Sequence, residues 1–234
     1  MPLNIPVTHS ATTQKRTDDG TVPWEHIDSN GIWKALIRTI RSCLLKPSQG
    51  FEQVAQSHDR FAALLFALIC GGFGAIMTAI WNWVATTYIP WDTLPFGDSW
   101  ITQSTSGTAL LYSPLIIVLS VFLTAFYLHT ILSISRSKHA PFASTLILVC
   151  YAESAVILNC IPFMGQFLAS IWFIYILIVG IKKVHHISGS RAFFVLVVPI
   201  IILAIIAAII GVMLVAVGGV LFGDIFKELS HYIR

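Results

Sequence analysis

Five stretches of the chain are apolar over the length that a helix needs to cross a lipid bilayer. They cover about residues 61–85, 110–134, 142–160, 163–181 and 193–222. A transmembrane helix takes about 20 apolar residues, because the hydrocarbon core is about 30 Å thick. Charged residues make up only 11% of the chain, whereas soluble proteins carry roughly 25%. We therefore predict an all-α, polytopic membrane protein with five transmembrane helices.

The third and fourth apolar runs are almost continuous, and the fifth is longer than a single span needs. Only Ile161 and Pro162 separate the third run from the fourth, and a residue before proline disfavours helix, so a tight transmembrane hairpin is expected. The fifth run exceeds the hydrocarbon thickness and must tilt, kink or emerge. Pro199 lies near the start of that run, where a missing N–H matters least.

The basic residues predict the orientation. Lys and Arg concentrate in cytoplasmic loops. With the amino terminus inside, 12 of the 14 basic residues are cytoplasmic, and the remaining two, Lys227 and Arg234, lie in the tail. We expect a cytoplasmic amino terminus and an external carboxyl terminus. The net charge of +3 is too small to indicate a nucleic-acid partner.

Four parts of the chain follow from these spans. Residues 1–27 are polar and are expected to form a disordered cytoplasmic tail. Residues 28–60 are expected to form an amphipathic helix in the membrane interface, with a linker, because basic and apolar side chains fall on opposite faces. Residues 61–222 form the transmembrane domain, and 223–234 a short external tail. The apolar face holds Trp33, Leu36, Ile37, Ile40 and Leu44, and the basic face Lys34, Arg38 and Arg41.

A few polar residues lie inside the predicted spans. Glu153 is the acidic residue well inside one, where a carboxyl group needs protonation or a partner. Gln166 or Ser170 on the antiparallel fourth span is expected to be that partner. Asn159 and His129 complete the candidates, and His129 is expected to lie too near the cytoplasmic end to reach Glu153. Structural hydrogen bonding is favoured over a proton or ion relay, which would need a chain of such groups.

Small residues recur at four-residue spacing in the first span and allow another helix to approach closely. Packing within the chain is the favoured interpretation, and a dimer or partner interface is the alternative. Gly219 and Gly223 form a shorter version in the fifth span. The stripe in the first span consists of Ala63, Ala67, Gly71, Ala75 and Ala79.

The loop 182–192 (KKVHHISGSRA) is the cytoplasmic connection between the fourth and fifth spans. A metal site formed by His185, His186 and His139 is disfavoured, because adjacent histidines point in different directions and no Cys, Asp or Glu accompanies them. No catalytic set or cofactor motif is recognisable, so we expect no catalytic residues, no metal and no cofactor. The predicted contacts to lipid headgroups or to a partner are Lys182, Lys183, His185, His186 and Arg191.

The order of motifs from residue 32 to about 215 resembles the YIP1 family. The similarity lies in an upstream L-x-P-x-x-x-F segment, an I-P-x-x-G turn, an Ile-Trp pair in the fourth span, and a G-x-x-x-V-H-x-I-S-x-x-R-A loop. The resemblance implies five helices and a cytoplasmic amino terminus. Eukaryotic members are linked to Golgi and endoplasmic-reticulum trafficking through small GTPases and to membrane shaping, whereas the tight loops of this chain favour a bacterial member in the inner membrane. The matching residues are Leu45, Pro47, Phe51, Ile161, Pro162, Gly165, Ile171, Trp172, Gly180, Val184, His185, Ile187, Ser188, Arg191 and Ala192.

Three functions remain open at this point. The favoured one is a membrane scaffold that binds a membrane-protein partner, or a second copy, or organises lipid. The second is a small transporter, channel or lipid scramblase with a polar cavity around Glu153. The third is an accessory subunit of a larger membrane complex. The low polarity of the span interiors favours the scaffold.

Overall fold

The computed structural model describes residues 21–27, 31–88, 108–136 and 140–232. These residues form seven α-helices and two 3₁₀ helices, and no β-strand occurs among them. The α-helices are α1 (Ile32–Leu45), α2 (Pro47–Val54), α3 (Arg60–Tyr88), α4 (Thr108–Ile134), α5 (Phe142–Ala152), α6 (Gly165–Val184) and α7 (Gly189–Tyr232), and the 3₁₀ helices are Pro23–His26 and Glu153–Cys160.

Five helical segments are long and apolar enough to cross a membrane, which confirms the predicted all-α, five-span architecture. The third is α5 together with the 3₁₀ helix that follows it. The segments are Arg60–Tyr88, Leu110–Ile134, Phe142–Cys160, Gly165–Val184 and Gly189–Val215. We call the end of the bundle that holds Arg60, Arg136 and Lys182 the basic end.

The fifth span belongs to a helix longer than expected. α7 has 44 residues, or about 66 Å at 1.5 Å per residue, which is about twice the hydrocarbon thickness. The residues expected to form a tail after position 222 continue this helix to Tyr232. Because α7 already begins at Gly189, Pro199 lies in its third turn and not at its start. The helix therefore begins four residues before the predicted span and ends ten residues after it.

The third span changes its winding half-way. α5 ends at Ala152, and Glu153–Cys160 continues as a 3₁₀ helix of eight residues, although such runs rarely exceed four. A 3₁₀ helix rises about 2.0 Å per residue instead of 1.5 Å, so the change lengthens the span by about 4 Å. Gly74 of α3 packs against this segment so closely that a Cβ atom there would lie 2.1 Å from Val156 Cγ1.

A tight turn joins the third and fourth spans, as the Ile161–Pro162 break predicted. The N–H of Gly165 donates to the carbonyl of Ile161 at 3.1 Å, and Phe163 has a positive φ of 58°. Gly165 begins α6 directly against the preceding helix, because a Cβ atom there would lie 2.5 Å from Leu158 O. The two spans therefore form an antiparallel hairpin.

The core of the molecule lies around α5, near the basic end. All eight residues from Thr145 to Ala152 are buried, and α2, α3, α4 and α6 contact this helix. Phe51 of α2 is fully buried, with its ring atom Cδ1 2.9 Å from where a Cβ atom of Gly180 would lie. The absence of a side chain at Gly180 thus lets α2 pack on α6.

Part of the predicted disordered tail is packed into the bundle. Val22 and Trp24 are each 2% exposed. The Trp24 indole N–H donates to Ala62 O at 2.8 Å, and the Trp24 backbone N–H donates to Thr39 Oγ1 at 3.0 Å. The expectation of disorder is therefore wrong for residues 22–27, because one buried tryptophan provides more apolar surface than the polar composition suggested. Residues 1–20 lie outside the described part of the chain.

The predicted amphipathic helix is α1, and it has three faces. Ala35, Leu36, Thr39 and Cys43 pack against the protein, and burial raises the pKa of the Cys43 thiol to about 12, although a hydrogen bond with Ser42 lowers it. A second, apolar face stays exposed, with Trp33 at 74% and Ile37 at 61%. The basic residues Lys34, Arg38 and Arg41 form the third face, which is also exposed.

The corner between α1 and α2 reaches far along the bundle. The indole N–H of Trp172 donates to Leu44 O at 2.9 Å. Trp172 lies twelve residues before Val184, the last residue of α6, which corresponds to about 18 Å along that helix. α1 and α2 therefore cover the half of α6 next to the basic end instead of meeting the bundle only at its edge.

Candidate functional site

Glu153 is the first residue of the 3₁₀ helix, between α3 and α6. It lies within electrostatic range of the thiols of Cys70 and Cys150. The expected partner was Gln166 or Ser170, and this prediction is wrong. The Glu153 backbone N–H donates within the helix, but its side chain forms no hydrogen bond with another described residue, and Ser170 Oγ donates to the Gln166 backbone carbonyl at 2.8 Å. The physical reason is that both residues occupy exposed positions of α6, and Gln166 lies beside Asn159 at the end of the third span and not beside Glu153.

Two of the predicted intramembrane residues, Asn159 and Gln166, line a cavity of about 190 Å³. The cavity lies between α3, the end of the 3₁₀ helix and the start of α6, at the end of the hairpin opposite the basic end. Its described lining residues are Thr78, Trp81, Asn82, Ala85, Asn159, Ile161, Phe163, Gly165 and Gln166. Neither Glu153 nor Ser170 is among them, so the predicted polar set is divided in two.

Asn159 is held in place by α3. Its Nδ2 donates to Thr78 Oγ1 at 3.2 Å, and its backbone carbonyl accepts the indole N–H of Trp81 at 3.1 Å. Its Oδ1 is buried and has no hydrogen-bond partner in the described structure. Buried polar atoms are nearly always paired, with protein or with ordered water, so this atom retains capacity for one further hydrogen bond. Trp81 and Asn82 were not predicted from the sequence as site residues.

A second polar cluster lies buried near the basic end. Thr145 Oγ1 lies 3.3 Å from His129 Nδ1 and 3.1 Å from His185 Nε2. Thr145 and His185 are each 0% exposed. The single hydroxyl therefore connects two histidines from different helices. The prediction that His129 does not reach Glu153 agrees with this position, since the residue is engaged with Thr145.

The expectation that His185 contacts headgroups is wrong. This residue ends α6, its N–H donates to Ile181 O at 2.9 Å, and its ring turns inward to Thr145. His186 follows with a φ of 53° and is exposed, as expected for adjacent histidines that point in different directions. The end of α6 determines the two orientations, because His186 has a left-handed backbone conformation that reverses the chain directly after His185. His139 lies outside the described residues.

The other loop residues occupy the surface of the basic end. Lys183 forms an ion pair with Glu52 of α2, so its ammonium group already has a partner within the chain. Lys182 and Arg191 are exposed. The N–H of Arg191 lies 3.4 Å from Ser188 Oγ, at the start of α7. Of the five predicted headgroup contacts, Lys182, His186 and Arg191 have the exposure that this role requires.

A carboxylate near the amino terminus forms a contact that sequence reasoning missed. Glu25 Oε1 accepts a hydrogen bond from the hydroxyl of Tyr151 at 2.9 Å and one from Ser57 Oγ. Tyr151 is fully buried and also packs against Phe66, with ring centroids 5.0 Å apart. The available signal was the tryptophan that precedes Glu25 in a polar stretch, because such a residue commonly anchors a segment to a core.

The small-residue stripe of α3 divides between interior and edge. Ala63, Ala67 and Gly71 are buried, and a Cβ atom on Gly71 would lie 3.0 Å from Ile117 of α4. The two residues further along, Ala75 and Ala79, are half-buried. The first three positions therefore face other helices of the same chain. Gly219 and Gly223 lie in α7, outside the residues whose surroundings the structure describes.

The fifth span leaves the bundle soon after it begins. Val195 and Leu196 are buried against the core, and α7 contacts α6 and α4. From Ile200 to Val215, every residue whose side chain is described is exposed. A helix that is apolar on all sides requires an apolar environment, so this part of α7 faces lipid or a membrane partner.

Comparison with known proteins identifies the family. No curated protein and no solved structure matches the chain. The family model of the Yip1 domain matches residues 41–223, a range that includes all five candidate spans. The chain is therefore an integral, multi-pass membrane protein that belongs to the Yip1-domain family.

Proposed function

We propose that the protein is a non-enzymatic membrane scaffold, or an accessory factor of a membrane complex, that binds the transmembrane helix of another membrane protein through α7. The observation that carries this proposal is the exposure of α7 on all sides from Ile200 to Val215. That segment is 16 residues long and corresponds to about 24 Å of helix. Transmembrane helices in a bundle normally pack on their neighbours through close van der Waals contact.

The surface of this segment suits a close helix–helix contact. Ala204, Ala207, Ala208 and Gly211 are exposed, and no atom lies within 4 Å of the position of a Cβ atom on Gly211. Within a membrane the hydrophobic effect does not drive helices together, because lipid tails are equally apolar. Helices associate there through close packing, and small residues let two backbones approach. A partner helix is therefore the proposed occupant, and a second copy or lipid alone are the other outcomes of the test.

The test is site-specific photocrosslinking in native membranes. A photoreactive residue at Ile205 or Ile209 of α7 is expected to capture a defined protein in stoichiometric yield. Leu119 and Phe126, which are exposed on α4, serve as matched controls and are expected to capture lipid. Gly211→Leu is expected to abolish the protein crosslink. Lipid adducts alone at all four positions would refute the proposal, and a crosslinked dimer of the chain would identify a homo-oligomer.

The transporter or scramblase alternative receives less support. It requires a polar cavity around Glu153, whereas the described cavity is lined by Asn159 and Gln166 and not by Glu153. We expect purified protein in liposomes to show no ion or lipid flux above that of empty liposomes. Flux that Glu153→Gln abolishes, in a variant that keeps its thermal stability, would favour the alternative.

The orientation is part of the proposal, with the basic end cytoplasmic and the protein in a bacterial inner membrane. Cys160 is exposed at the opposite end of the hairpin, while the other described cysteines are buried. An impermeant maleimide is expected to label Cys160 from outside the cell. In a Cys160→Ser background, Lys182→Cys is expected to react only in inverted membranes. The reverse pattern would contradict the orientation.

A further inference from the structure

We infer that the cavity at the α3–α6 side of the hairpin turn is a binding site for an uncharged, hydroxyl-rich group, such as a sugar ring. This inference does not depend on the role proposed for α7. The cavity volume is about 190 Å³, below the roughly 300–1,000 Å³ of pockets that hold drug-sized ligands. It is therefore suited to one small polar group and not to a large apolar ligand.

The unpaired half of the Asn159 amide is available to a polar ligand. One half of that amide pairs with Thr78 and the other half is buried without a protein partner among the described residues. The oxygen and nitrogen of an amide are interchangeable in such an assignment. A hydroxyl group both donates and accepts a hydrogen bond, so it pairs with this half of the amide in either orientation.

The remaining polar lining groups are of the same kind. Asn82 and Gln166 contribute two further amides to the described lining, and no Asp, Glu, Lys, Arg or His belongs to that lining. An ammonium or phosphate group inside the cavity would thus lack an opposite charge there, and a buried charge without a partner is costly. An uncharged group that carries several hydroxyls satisfies these amides without that cost.

The aromatic residues complete the site. The rings of Trp81 and Phe163 lie with their centroids 6.4 Å apart, and both residues line the cavity. Aromatic rings provide flat apolar surface, which suits the C–H faces that a sugar ring presents between its hydroxyls. Phe163 is 64% exposed and Gln166 is exposed, so they form the rim through which a ligand enters.

The same chemistry could come from a glycolipid headgroup or from a free sugar, and one experiment distinguishes them. The full chain is labelled with 5-fluorotryptophan, and the ¹⁹F signal of Trp81 is assigned among the seven tryptophans with Trp81→Phe. The protein is placed in phosphatidylcholine bilayers. Methyl glucoside is then added from solution, or monoglucosyl diacylglycerol is included in the bilayer, with plain diacylglycerol as the lipid control.

We expect the Trp81 signal to shift with a glucosyl compound. A shift with both probes, or with methyl glucoside alone, supports the site and indicates a soluble ligand. A shift with the glucosyl lipid alone supports the site and indicates a headgroup. No shift with either probe, or an equal shift with plain diacylglycerol, would overturn the inference.

Variants make the test specific to the cavity. Gln166→Leu and Asn82→Leu each remove one amide and are expected to weaken binding about tenfold, since a lost hydrogen bond of about 1.4 kcal/mol corresponds to that factor. Ser170→Leu is the matched control, because Ser170 is exposed one turn further along α6 and lies outside the lining. Unchanged binding in both amide variants would contradict the assignment.

Discussion

Gly74→Ala probes the closest contact between the first and third spans. An added Cβ atom would lie 2.1 Å from Val156 Cγ1, 3.3 Å from Val156 Cβ and 3.1 Å from the Val156 carbonyl oxygen. Carbon atoms in contact are normally about 3.5–4.0 Å apart, so the two helices must separate by more than 1 Å. Valine cannot relieve the clash by rotation alone, because its χ1 angle is stiff and its backbone oxygen is also close.

The expected cost follows from this overlap. Overpacking in a well-packed core typically costs about 1–3 kcal/mol. The matched control is Gly72→Ala, two residues earlier on α3, where no atom lies within 4 Å of the added Cβ. There the substitution is expected to be neutral or to stabilise the helix by up to about 1 kcal/mol, because alanine has the higher helix propensity. The two variants therefore differ by about 1–4 kcal/mol.

Thermal unfolding of the detergent-solubilised protein measures this difference. For a chain of this size, 1 kcal/mol corresponds to about 2–4 °C, so the Gly74→Ala midpoint is expected to fall several degrees below that of Gly72→Ala. Val156→Ala in the Gly74→Ala background removes Cγ1 and is expected to recover part of the loss, which gives a negative coupling free energy in a double-mutant cycle. Equal midpoints for the two glycine variants, or no coupling with Val156→Ala, would refute the packing argument.

Three further predictions concern buried contacts near the basic end. Tyr151→Phe removes a hydrogen bond to a carboxylate and is expected to cost about 1.5–3 kcal/mol and to increase hydrogen exchange in residues 22–27. Tyr175→Phe, at an exposed site, should leave the stability and the hydrogen exchange unchanged. Thr145→Val is expected to lower stability by about 1–3 kcal/mol because it removes the bridge between two histidines. The Thr130 hydroxyl donates within its own helix, so Thr130→Val should cost less in the same thermal-unfolding assay. Phe51→Ala empties a fully buried site and is expected to cost about 3–5 kcal/mol; a loss below 1 kcal/mol, measured by denaturant unfolding, would contradict the packing of α2 on α6.

Much of the fold could be predicted because membrane chemistry leaves few alternatives. A backbone in lipid must pair its own polar groups, so each apolar run of sufficient length had to be a helix. The break at Ile161–Pro162 was equally readable, because proline cannot continue a helix through that position. The upstream L-x-P-x-x-x-F segment is recognisable as a sequence pattern, but the pattern does not indicate that Phe51 packs against Gly180.

The candidate site was harder to predict. The helical rise of about 1.5 Å per residue places Gln166 at a similar depth to Glu153, but depth does not determine which side of a helix a residue faces. In the structure Gln166 points to the cavity beside Asn159, while Glu153 lies near Cys70 and Cys150. His185 was expected in a solvated loop, yet the rotation of the last turn of α6 directs it inward to Thr145.

The sequence by itself determined the membrane class, the number of spans and the hairpin, because these depend on composition and on local helix rules, and it determined the family through the order of its motifs. Only the tertiary structure decided the change from α to 3₁₀ winding at Glu153, the docking of Trp24 against Ala62, and the exposure of α7 after Pro199. Each of these depends on which surfaces meet across long separations in the chain. Local propensity carries no information about such contacts, since the free energy of packing arises between helices and not within them.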